Sequence, residues 1–232
     1  MSKSVAFRTE QLEQLLDRIG RDYAPAAFAN SFGAEDMVLT DLIARKFRAI
    51  EIFTLDTGRL PQETHDLMRA VADRYDVEVR VYCPDGGAVQ DYVNQYGVDA
   101  FYDSIALRQR CCEIRKIEPL YRALSGKKAW ITGLRRAQSV TREGLPPSEF
   151  DPVHGLEKFN PLHDWTESEV WAYLRAFNVP YNALHDQGYA SIGCAPCTRA
   201  IAAGEDVRAG RWWWENAETR ECGLHRKRQP AG

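Results

Sequence analysis

No stretch of this 232-residue chain approaches the roughly 18 uninterrupted apolar residues of a membrane span. The opening run MSKSVAFRTEQLEQLLDRIG carries acidic residues and no apolar core of signal-peptide length, so a reducing, cytoplasmic setting is expected. Charge of one sign is missing too. The net value of −3 gives no whole-molecule field to attract nucleic acid or anionic lipid, and any anion chemistry must be local. There is no internal repeat, no low-complexity tract and no GK[ST] ending of a Walker A loop. What remains is a composition of 44% hydrophobic and 27% charged residues, ordinary for a globular protein and long enough to bury a proper core in one domain.

Cysteine is the residue whose distribution is unusual. Of six, Cys111 and Cys112 are adjacent. They cannot easily pair with each other, because neighbouring Cα atoms stand about 3.8 Å apart and a disulfide wants roughly 4.4 to 6.8 Å. In a reducing compartment grouped cysteines point to metal ligation or redox chemistry.

The apolar pattern has two periods. Leu12, Leu15, Leu16 and Ile19 recur at helical spacing before Gly20, which predicts an amphipathic helix over about 9–19 with a glycine stop. Short runs at 25–30, 49–55, 77–82 and 129–134 read as strands, separated by helical stretches near 35–47, 61–75 and 111–124. Strands alternating with helices imply parallel βαβ units in a doubly wound α/β sheet, whose ligands sit at the carboxyl ends of the strands. Residues from about 143 to 165, rich in Pro, Gly and Asp, read as a long ordered loop. TESE at 166–169 is a capping box that starts another helix.

Several segments fall at that carboxyl edge. SFGAEDMVL at 31–39 follows a strand and opens a helix, so Ser31 and Gly33 permit a tight turn whose amides, with the Ser31 hydroxyl, can cradle a phosphate or sulfate oxygen. The same letters also suit a plain strand-to-helix turn. LDTGRLPQET at 55–64 ends the next strand beside it, where adenosine could lie against backbone atoms or the segment could be only a capped turn. Lys116 follows the adjacent cysteines, and Arg135, Arg136 and Arg142 end another strand. Cys194 and Cys197 form a CxxC, so four thiolates come from two distant segments. Four cysteines suit tetrahedral zinc or an iron–sulfur cluster, or stand as unligated buried thiols; adjacent side chains diverge, which favours separate corners of a cubane over one small ion. Cys222, in ECGLH, lies on a polar terminal stretch close in sequence to Arg208, Arg211, Arg220 and Arg226, the setting of a thiol activated by cations or of an unreactive surface thiol. Trp212, Trp213 and Trp214 read as packing and shielding, and Cys83 as a small buried hydrophobe.

Taken in order, SFGAED, LDTGRLPQET, CC, ITGLRR, NPL, GCAPC and ECGLH resemble the assimilatory sulfonucleotide reductases, in particular the thioredoxin-dependent kind acting on adenosine 5′-phosphosulfate (APS). The resemblance covers about residues 25 to 226. It implies a single domain over 1–232 with a fold like the PP-loop adenine nucleotide α-hydrolases and a catalytic segment at about 215–232. It further implies a [4Fe–4S] cluster on Cys111, Cys112, Cys194 and Cys197, and Cys222 as nucleophile. Lys116, Arg142, Arg208, Arg211 and His225 match its anion-binding residues, Ser31 and Gly33 its anion loop, and Leu55 the strand end that contacts adenosine. The activity implied is release of sulfite and AMP from APS in sulfate assimilation and cysteine biosynthesis, with thioredoxin as reductant. Rival readings are reduction of the 3′-phosphorylated nucleotide (PAPS), a PP-loop ATP pyrophosphatase with an iron–sulfur cluster, and a non-catalytic zinc-stabilised binding module. A hinge for the catalytic segment is expected between Trp214 and Glu221.

Overall fold

A computed structural model describes residues 3–139 and 142–216. Six strands form one sheet in the order β3-β2-β1-β4-β6-β5. These are β1 (Ala26–Ala29), β2 (Glu51–Leu55), β3 (Val79–Tyr82), β4 (Ala129–Ile131), β5 (Ser148–Asp151) and β6 (Leu156–Phe159). All neighbours run parallel except the β5–β6 hairpin. The chain reverses direction of travel across the sheet between β3 and β4, on either side of β1, which opens a crevice beyond the strand ends.

Helices cover both faces because the strands bury both faces. Phe28 of β1, Ile52 of β2 and Ile131 of β4 point into the larger core, packed by α1 (Lys3–Asp22), α2 (Ala34–Lys46), α3 (Gln62–Tyr75) and α7 (Glu167–Ala176). Their sequence neighbours Ala27, Phe53 and Trp130 point the other way, against Leu120, Ala123 and Leu124 of α6 (Glu118–Leu124). One polar group lies inside the larger core: the Asp41 carboxylate accepts hydrogen bonds from Tyr75 at 2.8 Å and Tyr173 at 2.7 Å, tying α2 to α3 and α7. These two hydroxyls, with Arg45 Nη1 donating to Asp41 Oδ2 at 3.0 Å, satisfy a charge that would otherwise oppose burial.

Three expectations change. The first helix runs from Lys3 to Asp22, since Gly20 packs beside Ile50 and a single glycine does not outweigh a buried apolar stripe. The stretch expected as a loop over 143–165 contains β5 and β6, whose short, charged strands lack the apolar run that marks an interior strand. The helix expected at 111 begins at Ile105 as α5 (Ile105–Cys112) and passes through a π-helical turn, Glu113–Ile117, into α6. The sequence reading also missed α4 (Gly86–Tyr96), capped by the Asp85 side chain on the Ala88 amide. The capping box at Thr166 and Glu169 forms as expected.

Candidate active site

Loops after β1, β2 and β4 enclose a cavity of about 800 Å³ together with the chain at 188–193 and 201–212. Ser31, Gly33, Leu55, Lys116, Arg142, Arg208 and Arg211 all line it, so every described residue expected to bind substrate meets at one place. Cys222 and His225 lie outside the described residues.

The turn after β1 differs in detail from its expectation. Gly33 has φ −72°, open to any residue, and the left-handed position is Phe32 at φ 61°, whose amide is held by Asn30 Oδ1 at 2.8 Å. The Ser31 amide and hydroxyl both donate to Asp36 Oδ2, each at 2.6 Å. Asp36 sits in the first turn of α2, where an acidic side chain meets exposed amides. A Cβ on Gly133, after β4, would stand 2.0 Å from Asp36 Oδ1, so only glycine lets that carboxylate join the β1 and β4 loops. Burial pushes the Asp36 carboxyl up to about 7, against hydrogen bonds from Ser31 and Gly133 that favour the ionised form. Nothing in the sequence marked Asp36 beyond its place in a helix first turn.

Cations surround the same space. Arg135 is held by Glu35 at 2.7 Å, at the mouth of the anion loop. Arg142 is tied to Gln138. Arg211 lies on the backbone of Gly193, where a Cβ would come within 2.3 Å of its guanidinium, and its Nη1 also donates to Ile192 O at 3.2 Å. His185 donates Nδ1–H to Tyr189 O at 2.8 Å, and burial lowers its pKa, which favours the neutral imidazole.

Beside the cavity, Cys111, Cys112, Cys194 and Cys197 line one small cleft with Arg59, Arg108, Arg115 and Lys116. Lys116 and Cys194 line both spaces. The π turn carries Arg115 and Lys116, three and four residues after Cys112, a device common at functional sites and unreadable from helical periodicity. Arg115 donates to Thr57 O at 2.6 Å, and Thr57 Oγ1 lies 3.3 Å from Cys194 Sγ. Among the described residues, none of the four forms a disulfide. Burial pushes Cys197 up to about 12 and raises Cys111, while at Cys194 burial is outweighed by Lys116, the Thr57 hydroxyl and Arg211, which lower its pKa. Among the described residues no group of three or more His, Cys, Asp or Glu side chains is arranged to hold a metal ion. Four thiols lining one cleft are a donor set suited to an iron–sulfur cluster or to tetrahedral zinc. Cys83 is exposed rather than buried.

Trp212 is fully buried, whereas Trp213 is 37% exposed and Trp214 packs on Tyr102 with ring centroids 4.5 Å apart, the packing role expected of this run. Among the described residues, no helix is long and apolar enough to cross a membrane.

Comparison with known proteins agrees with this geometry. A profile of the phosphoadenosine phosphosulfate reductase domain matches residues 25–200. Adenosine 5′-phosphosulfate reductase of Allochromatium vinosum is 60% identical over 222 residues, covering 94% of this chain and 87% of that protein. Its namesake from Burkholderia cepacia is 53% identical over 97% of this chain and 90% of its own length. The crystal structure of phosphoadenylyl-sulfate reductase from Candida auris superimposes with a TM-score of 0.68 at 28% identity, covering 87% of this chain and 98% of that one. Yeast FAD synthetase, a PP-loop neighbour at 16% identity with a TM-score of 0.54, covers 86% of this chain and 69% of its own and shares the fold alone. With the profile spanning most of the chain and two relatives above half identity, the chain belongs to the phosphoadenosine phosphosulfate reductase family.

Proposed function

We propose that this chain, working as a single cytoplasmic domain, reduces APS to sulfite and AMP in sulfate assimilation. The observation that carries this reading is the shared wall: Lys116 and Cys194 line both the cavity bearing Ser31, Leu55, Arg208 and Arg211 and the cleft of the four cysteines. A cavity of about 800 Å³ is ample for a nucleotide, and the high identity to proteins named APS reductases supports the unphosphorylated 3′ position.

The chemistry follows from charge. A Cys222 thiolate approaching the sulfur of a phosphosulfate brings anion toward anion, so Lys116, Arg208, Arg211 and, from the terminal segment, His225 neutralise the approach and the departing AMP. The Cys222 sulfur bonds to the sulfate sulfur as the bond from that sulfur to the phosphate oxygen breaks, and AMP keeps the electron pair. A thioredoxin thiolate then attacks the Cys222 sulfur, expelling sulfite and forming a mixed disulfide that the second thioredoxin thiol resolves. Two thiols are oxidised by two electrons, and the sulfonate sulfur leaves as sulfite. Cys111, Cys112, Cys194 and Cys197 would hold a [4Fe–4S] cluster. Such a cluster supplies local charge that tunes the site beside Lys116.

Three experiments test this. Incubation with sulfur-labelled APS followed by mass spectrometry should place the label on Cys222, and Cys222→Ser should release no sulfite; a label elsewhere, or full release from the variant, would overturn the mechanism. Turnover on APS and PAPS decides the substrate, with a strong PAPS preference overturning that assignment. The purified protein should be brown, with iron and sulfide near about four each per chain, and Cys194→Ser should bleach it.

A further inference from the structure

Arg108 and Glu215 form a buried ion pair that the proposed chemistry does not use. Arg108 is 0% and Glu215 3% exposed, and the guanidinium meets the carboxylate in two parallel hydrogen bonds, Nε to Oε1 at 2.8 Å and Nη2 to Oε2 at 2.7 Å. The Arg108 guanidinium also stands 4.9 Å from the centre of the Trp212 ring, over which Arg211 stands at 4.7 Å. Arg108 lies one helical turn before Cys111 and Cys112 on α5, so its side chain shares their face, and it lines their cleft. Trp212 donates its amide to Cys197 O at 3.1 Å, and Glu215 donates its own to Trp212 O at 2.8 Å. The segment 212–215 is therefore fastened to both cysteine-bearing parts of the chain.

Stability alone is a poor reason for such a pair. Removing two charges from water costs several kcal/mol per ion, and apolar residues of similar volume often serve the fold as well or better. A bidentate pair does, however, define position and angle in a way apolar packing does not. Glu215 is also where a fixed point matters, because Cys222 is seven residues further on and can reach at most about 25 Å from it.

We propose that the Arg108–Glu215 pair, seated on Trp212, anchors the root of the C-terminal segment, making both residues positioning residues for transfer to Cys222. This rests on Cys222 being the nucleophile.

In the holoenzyme, Glu215→Gln keeps the shape and removes the charge. Single-turnover S-sulfonation of Cys222 at saturating APS should fall roughly tenfold or more, the scale of a small misplacement of a reacting group. AMP affinity and metal content should stay within about twofold, because Glu215 lines neither space and the substitution leaves Arg108, which lines the cysteine cleft, in place. An unchanged sulfonation rate, or an equal loss of AMP affinity or metal, would overturn the anchor. If Glu215→Gln fails to fold, Arg108→Met combined with Glu215→Leu removes both charges; the same loss is expected, and a wild-type rate would overturn the proposal. Cys222→Ser run alongside separates the two ideas, since sulfite release from it refutes the nucleophile whereas normal sulfonation in Glu215→Gln refutes only the anchor.

Discussion

Replacing Asp36 by asparagine tests the least expected feature of the anion loop. The folded carboxyl titrates at about 7 against 3.8 for an ordinary aspartic acid, because burial opposes its charge more than Ser31 and Gly133 favour it. The sign follows from proton counting. Below pH 3.8 both folded and unfolded chains hold the proton, and Asp36 adds no pH dependence. Between there and about 7 only the folded chain holds it, so stability falls as pH rises, by about 1.4 kcal/mol per pH step. The full penalty, about 4 kcal/mol, is reached just above pH 7 and then stays constant. Asparagine has no proton to release. The stability of the wild type minus that of Asp36→Asn, from urea unfolding at pH 5, 6, 7 and 8, should fall by about 2 kcal/mol between pH 5 and 7 and level off beyond. A carboxyl-carbon NMR titration of the folded protein gives the same pKa directly. A difference that does not change with pH, or that rises with it, would refute the reasoning, because it would mean the Ser31 and Gly133 hydrogen bonds offset or outweigh burial. By linkage, AMP affinity should also weaken above pH 7 in the wild type and less so in the variant, since an ionised Asp36 repels the phosphate.

Gly133→Ala should cost about 1–3 kcal/mol and weaken AMP binding, because its methyl group would overlap Asp36 Oδ1; calorimetry and a binding titration check both. Arg211→Ala should lower kcat/KM for APS by roughly tenfold to a hundredfold, the scale of one charge-assisted hydrogen bond, and steady-state kinetics read it. Thr166→Ala should lower thermal stability by about 1 kcal/mol, because it removes the hydroxyl that accepts from the Glu169 amide at the start of α7; thermal unfolding reads it.

Much of this protein was written locally. Strand and helix periods, the Thr166 cap, and the order of SFGAED, LDTG, CC, CxxC and ECGLH are properties of neighbouring residues, and these determined the α/β class, the crevice at the strand ends and the candidate ligands. Other features depend on residues far apart in the chain, and no window of sequence contains them. Gly133 must be glycine only because β1 and β4 are neighbours, and Arg108 finds Glu215 only across 107 positions. The β5–β6 hairpin escaped for a related reason, since its charged strands acquire meaning only beside β4. Burial decided the rest: the charge state of Asp36 and the sharing of Lys116 between two spaces come from where tertiary packing excludes water, and water exclusion is a property of the whole fold.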